Sequence, residues 1–369
     1  MPVYGYNTVS ILHASKFLVH RKGPAMRLVI CGPSAVEILR STATAYPDEL
    51  HARSIRHLTS FNPIGESLSS TIGRTDGVHQ PLHLLFDEQG MRRPAKNVIC
   101  HCAFSDTRLP KESFLEIGDE VYIPCAELAF LDMASYCTPL ELARIGMDLC
   151  GCYRVMQDRR TDLVAAEPLT SAARINAYLK RMPSGTVGLK KATTVAAWLT
   201  DNSASPRETS LAVCMRVPSR VGGYQVRSLE LNLQIPLSSI AAPTTTASYF
   251  VGDAVDPSTK TVIEYNSSKH HDDEGEHEYD MEKITALGTM GYHVIPITTR
   301  QFNRFDAFDA IMTGNVIPHL GIRRGAVVQE TLLRRREAHR TVLAAERQIR
   351  KSPSLADLAW WQVIWTRYL

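Results

Sequence analysis

At 369 residues the chain exceeds one ordinary domain, and two domains plus an accessory element is the expected organisation. With 44% hydrophobic and 21% charged residues it has the make-up of an ordinary soluble globular protein. A formal net charge of +3 neither demands nor excludes nucleic acid, and the absence of a long apolar run sets a membrane-spanning role aside.

The first stretch, Met1 to Gly23, is interrupted by Tyr4, Asn7, His13, Lys16 and Arg21, so it lacks the apolar centre of a secretory signal and a cytoplasmic location is expected. Residues 1–160 then alternate strand-like and helix-like patterns, which predicts a mixed α/β domain. Met26 to Cys31 is a compact β run, and Gly32-Pro33-Ser34 opens a helix through Arg40. Leu82 to Phe86, Val98 to Phe104 and Val121 to Pro124 are further strands by their apolar, β-branched content. Helices are expected at Ala126 to Ala134 and at Pro139 to Cys150, the second with Thr138 at its N-cap, Pro139 first and Glu141 third.

The eight cysteines include two Cys-x-Cys pairs, Cys100/Cys102 and Cys150/Cys152. Their one-residue gap is shorter than the two to four usual in structural zinc pairs, and buried reduced thiols are the expected state.

Arg154 to Ala166 turns polar and suits a linker, after which a helical connector (167–201) carries patterns at Ser171 to Arg181 and Lys190 to Leu199. Residues 202–322 begin with helix, strand, strand, strand, helix, strand. The tail, 323–369, reads as two helices broken at Ser352-Pro353. The first is rich in arginine, with Arg334, Arg335, Arg336 and Arg340 as candidate phosphate contacts, although its apolar stripe fits an ordinary packed helix equally well. The second carries Trp360, Trp361, Trp365 and Tyr368 and suits a protein-docking face.

Chemistry concentrates in residues 249–266, two apolar β runs joined by a turn at Asp256 to Thr259. Asp253 ends the first run, and alternation puts Val262, Glu264 and Asn266 on one face of the second. An acid inside an apolar strand costs stability unless it is paired or binds a metal. Antiparallel pairing would bring Asp253 towards Glu264, where Mg²⁺ (or Mn²⁺) would relieve their repulsion. Taken singly, a turn-flanking aspartate and an exposed strand glutamate would also explain the two acids. Glu208 likewise has two readings: Ser205-Pro206-Arg207-Glu208 is a capping box, and the same carboxylate could reach a metal.

The hairpin acids resemble the signature of PD-(D/E)XK nucleases. More specifically, the ordered set resembles very-short-patch-repair-like endonuclease domains that follow AbiEi-type antitoxin regions. That set is Ser205 to Glu208, Asp253, Glu264-Tyr265-Asn266-Ser267, His270 or His271, the helix Asp280 to Leu287, and Met290 to Ile297. Residues Ala126 to Tyr153 weakly resemble the region preceding such domains. The resemblance implies a nuclease core of helix, three strands in antiparallel hairpins, helix and strand. Asp253 and Glu264, with Glu208, would be its metal ligands, and Asp253, Glu264, Asn266, His270, His271 and Lys283 its catalytic group. Asn266 departs from the pattern, standing where Lys or Asp is usual, so it brings neither positive charge nor titratable proton. Lys283 or Lys269 would then supply the cation, and His270 or His271 would move the proton.

Two functions follow. One is a metal-dependent endonuclease in a defence or toxin–antitoxin setting, with nucleic acid as partner and DNA ranked above RNA. The alternative is a catalytically inactive nuclease-fold regulator that binds nucleic acid or a protein.

Overall fold

The computed structural model of the chain describes residues 28–42, 51–53, 81–86, 98–102, 109–110, 112–118, 121–155, 163–266, 274–323 and 328–351. In chain order the elements begin β1 (Leu28–Val29), α1 (Gly32–Thr42), β2 (His51–Arg53), β3 (Leu82–Phe86), β4 (Val98–Cys102), β5 (Phe114–Gly118), β6 (Val121–Pro124), α2 (Ala126–Met133), α3 (Pro139–Leu149), β7 (Tyr153–Val155) and β8 (Leu163–Ala165). They continue α4 (Ala172–Lys180), α5 (Leu189–Ala196), α6 (Pro206–Arg216), β9 (Glu230–Pro236), β10 (Tyr249–Asp256), β11 (Thr261–Asn266), α7 (Glu274–Thr289), β12 (His293–Thr298), α8 (Thr299–Asn303), α9 (Phe305–Ile311), α10 (Ile317–His319) and α11 (Gln329–Lys351). The protein is α/β.

Two compact units account for the chain: 1–138 with 154–197 and 348–369, and 139–153 with 198–347. This division differs from the expected one at two places. Helix α3 was expected in the N-terminal domain but belongs to the second unit, because Arg144 bonds the Ser210 hydroxyl at 2.7 Å and the Pro206 carbonyl at 3.1 Å on α6. Most of α11, expected in a separate tail, also packs there: Ala338, Val342 and Leu343 are buried, and the buried His339 ring meets the Phe302 carbonyl at 2.7 Å.

In the first unit a four-stranded sheet runs β1-β6-β5-β2, with β1 and β6 parallel. A parallel pair, β3 with β4, adjoins it through the Ile30–Leu84 bridge. Beside the start of α1 lies a buried polar chain. Asp132 accepts the Gly32 N–H at 2.8 Å, and burial lifts its carboxyl to about 6. His83 meets His101 at 2.9 Å, and His101 meets the Tyr136 hydroxyl at 2.8 Å. Burial, then the neighbouring ring, lowers His83 to about 3, so it is neutral.

The second unit is organised by a sheet ordered β12-β11-β10-β9. β9, β10 and β11 form an antiparallel meander, and β12 runs parallel to β11. A parallel neighbour requires a crossover, and α7 provides it. Leu287 packs with Ile235, Val255 and Val262, and Ala286 with Phe250 and Ala241, which fixes one stripe of α7 on the sheet. Complete burial of such side chains is worth about 2 kcal/mol each. The β10–β11 turn is closed by the Asp256 carboxylate, which accepts the Ser258 N–H at 2.9 Å and the Thr259 N–H at 3.2 Å. Among the described residues, no helix is long and apolar enough to cross a membrane.

A candidate carboxylate site on the second sheet

Asp253 and Glu264 are brought together where β10 and β11 part. The antiparallel ladder ends at Ala254–Ile263, so Asp253 would be next to pair with Glu264. Instead the strands diverge, and the Asp253 carboxylate closes the gap by accepting the Tyr265 N–H at 2.7 Å. Burial first, then the charges of Glu264 and Glu208, push the Asp253 carboxyl up to about 7. Glu264 is also raised, chiefly by burial, while Lys283 works against that rise.

Glu264 lies over Gly252. A Cβ on residue 252 would come 2.5 Å from Val255 and 3.0 Å from Val262, with the Glu264 Oε1 oxygen at 3.6 Å. The crowding that calls for glycine here comes from the two valines, while the carboxylate lies at ordinary contact distance. Its other oxygen, Oε2, accepts from Lys283 Nζ at 2.7 Å, and the same ammonium donates to the Val251 carbonyl at 2.6 Å. Lys283 reaches this point because it lies one helical turn before Ala286 and Leu287, on the stripe that faces the sheet. Both side chains are nearly enclosed, at 12% and 13% exposure for Lys283 and Glu264. The Glu264 Oε1 oxygen is also buried and lies outside ordinary hydrogen-bond geometry, although the Asp253 backbone N–H is near enough to the carboxylate to work against the rise of its pKa.

Glu208 makes the contacts of the capping box. Ser205 Oγ accepts the Glu208 N–H at 3.1 Å and donates to Glu208 Oε1 at 2.8 Å, while Oε2 accepts the Ala204 N–H at 2.8 Å. Its charge is nevertheless felt by Asp253. Asn232, which the sequence did not single out, joins the group by donating to Glu208 Oε2 at 2.7 Å. Asp280, on the exposed side of α7, adds further negative charge that raises Glu264. Among the described residues these acids thus act on one another, and Lys283 is the cation paired within the group.

Asn266 closes β11 two residues beyond Glu264, opposite Thr298 of β12. His270, His271 and Lys269 lie outside the described residues, as do Trp360, Trp361, Trp365 and Tyr368. The four arginines are divided among different tasks. Arg335 is buried, paired to Asp309 at 3.2 Å and set over the Tyr224 ring, so it serves packing instead of a surface contact. Arg334, Arg336 and Arg340 pair with Glu330, Asp306 and Glu337 at 2.6, 2.7 and 2.8 Å, and the last two lie on the exposed side of α11.

The buried Glu264 carboxylate beside Asp253 offers oxygen atoms of the kind that suit hard cations. Among the described residues, however, no group of three or more His, Cys, Asp or Glu could hold a metal ion. The described cysteines are free thiols. No protein-family model, curated protein or solved structure matches this chain.

Proposed function

We propose that the Asp253–Glu264 cluster binds Mg²⁺ or Mn²⁺ and that the protein is a metal-dependent endonuclease of the PD-(D/E)XK kind. The observation that carries this reading is the pair of enclosed carboxylates, Asp253 and Glu264, both raised by burial and answered, among the described residues, by the ammonium of Lys283. The order of α6, the β9–β10–β11 meander, α7 and β12, with acids at the β10–β11 divergence, supports it as the arrangement the resemblance requires.

Asp253 and Glu264, with Glu208 close by, would hold the cation. A bound Mg²⁺ supplies a water of lowered pKa and offsets phosphate charge. Lys283 provides, from α7, the positive charge that Asn266 does not bring to β11, and its ammonium can meet a phosphate oxygen next to Glu264. Asn266 orients by hydrogen bonding alone. His270 or His271 would transfer the proton, and Arg334, Arg336 and Arg340 would meet the sugar–phosphate backbone of DNA by charge.

The test is nicking of supercoiled DNA by the full chain in Mg²⁺. Cleavage should stop with EDTA and in Asp253→Asn and Glu264→Gln. Cleavage that persists in both variants would overturn the assignment.

A second reading is favoured by Asn266 and by the lack of a pre-gathered ligand group among the described residues. In it the chain is an inactive nuclease-fold regulator. DNA retention without cleavage, unchanged by EDTA, would select that reading.

A further inference from the structure

The arginines of the second unit are not equally available to a partner. On α11, Arg335 is buried against Asp309, and Arg336 and Arg340 are engaged by Asp306 and Glu337. Arg300 in α8 and Arg304 between α8 and α9 are exposed, and among the described residues no carboxylate pairs with either. Asp306, the acid next along the chain from Arg304, is taken by Arg336. The two guanidinium groups therefore keep their charge and their N–H donors for a partner in solution.

Their place follows from the sheet. β12 runs parallel to β11, with Glu264 opposite Pro296 and Asn266 opposite Thr298. The chain turns at once into α8 through a capping box: the Thr298 hydroxyl accepts the Gln301 N–H at 3.3 Å, and the Gln301 side chain accepts the Thr298 N–H at 2.8 Å. The Thr299 hydroxyl meets that of Tyr265 at 2.7 Å, which fixes α8 against the end of β11. Asn303 accepts from Arg207, the neighbour of Glu208, at 2.9 Å. Arg300 and Arg304 stand on either side of Asn303 in the chain, so both are carried at the end of the sheet that holds Glu264 and Asn266. Counting one strand spacing across and four residues along, the Arg300 backbone is roughly 10–15 Å from that of Glu264. A strand of duplex DNA rises about 3.4 Å per nucleotide, so this spans a few phosphates.

We propose that Arg300 and Arg304 form a phosphate-contact pair that holds the DNA backbone beside the Asp253–Glu264 cluster. The proposal rests on the nucleic-acid reading of this unit and needs no bound metal. Guanidinium groups meet phosphate oxygens through paired N–H donors, and such contacts position a strand without reading its sequence. The Arg304 side chain makes no capping bond to α9, so its charge can be removed without uncapping that helix.

Binding of a fluorescent DNA duplex by the full chain, in EDTA and across a range of salt concentrations, tests the pair. EDTA takes cleavage and cation binding out of the measurement. Arg300→Gln and Arg304→Gln should each weaken binding roughly five- to tenfold at about 0.1 M salt and flatten the slope of log affinity against log salt by about 0.9, and the double variant by about twice that slope. The loss should be equal on unrelated sequences, and Arg304→Lys should keep the wild-type slope, because the contact is made by charge. Wild-type affinity and slope in the double variant would overturn the pair and leave Asp253 and Glu264 as the candidate cleavage site. Weakened binding with an unchanged slope would also overturn it. Absence of DNA binding by the wild-type chain would overturn the pair and the nucleic-acid reading together. The stated slope changes in a chain that does not cleave in Mg²⁺ would support the pair and remove the nuclease reading.

Discussion

Two groups of enclosed charge meet at the start of α6, and adjacent residues belong to different groups. Arg207 pairs with Glu346 at 2.9 Å and bonds Asn303 at 2.9 Å, while Arg144 pairs with Asp148 at 3.2 Å and bonds Ser210 and Pro206. Tyr153 donates to the Asp148 Oδ1 oxygen that Arg144 also meets, and Ser210 donates to Glu346 Oε2. Two cations match two anions there, with Arg207 Nε and Glu346 Oε1 in ionic contact outside ordinary hydrogen-bond geometry. Glu208, the next residue, faces the other group, where Asp253, Glu264 and Asp280 outnumber Lys283. Balance of charge makes the first network a fastener. In the second, acids exceed cations among the described residues, so part of its negative charge is left without a counter-charge there.

The contrast predicts opposite signs for substitutions. Arg144→Met in the balanced group leaves Asp148 buried without its cation. A loss of about 4 kcal/mol is expected, lowering the unfolding temperature by roughly 8–16 °C. Thermal unfolding checks this, and Mg²⁺ should not restore it. Lys283→Met in the second group removes the cation paired with Glu264 and should cost about 2 kcal/mol at pH 8. At pH 6 the cost should shrink, since the raised Asp253 and Glu264 carboxyls can take up protons. Equal losses at both pH values would break the comparison.

Asp253→Asn should do the reverse of Arg144→Met. It removes repulsion, so the metal-free protein should gain about 1 kcal/mol at pH 8 while DNA nicking is abolished. The smallest effect is the pH profile itself. Asp253 holds its proton to about 7 in the folded chain, against an ordinary 3.8. Its contribution to stability is therefore complete below about pH 4 and is lost as pH rises through 7. Metal-free unfolding temperatures should fall between pH 5 and 8, less steeply in Asp253→Asn. An identical slope in the variant would remove Asp253 as the titrating group.

Local signals in the chain were enough to find the elements around this site. Alternation located β10 and β11, the Asp256 turn located the hairpin, and the Ser205–Glu208 spacing located the start of α6. Asp253 and Glu264 could be paired because a hairpin register is short-range. The assignment of α3 and α11 to the second unit was not legible, since it depends on partners such as Ser210 and Phe302 far away in sequence. Asn232 was missed for a related reason. Its only local sign is a strand-disfavoured residue within Leu231-Asn232-Leu233, and its contact with Glu208 appears when β9 and α6 are brought together. Gly252 was equally silent until Val255 and Val262 were seen packed against it.

The most direct test of the surplus-charge site is the unfolding temperature of the full chain at pH 8 with and without Mg²⁺, in wild type, Asp253→Asn and Glu264→Gln. At about 100 times its dissociation constant Mg²⁺ should stabilise the wild type by about 2.7 kcal/mol, and both variants should lose that response. An equal Mg²⁺ response in all three, or none in the wild type, would contradict a cation site at Asp253 and Glu264.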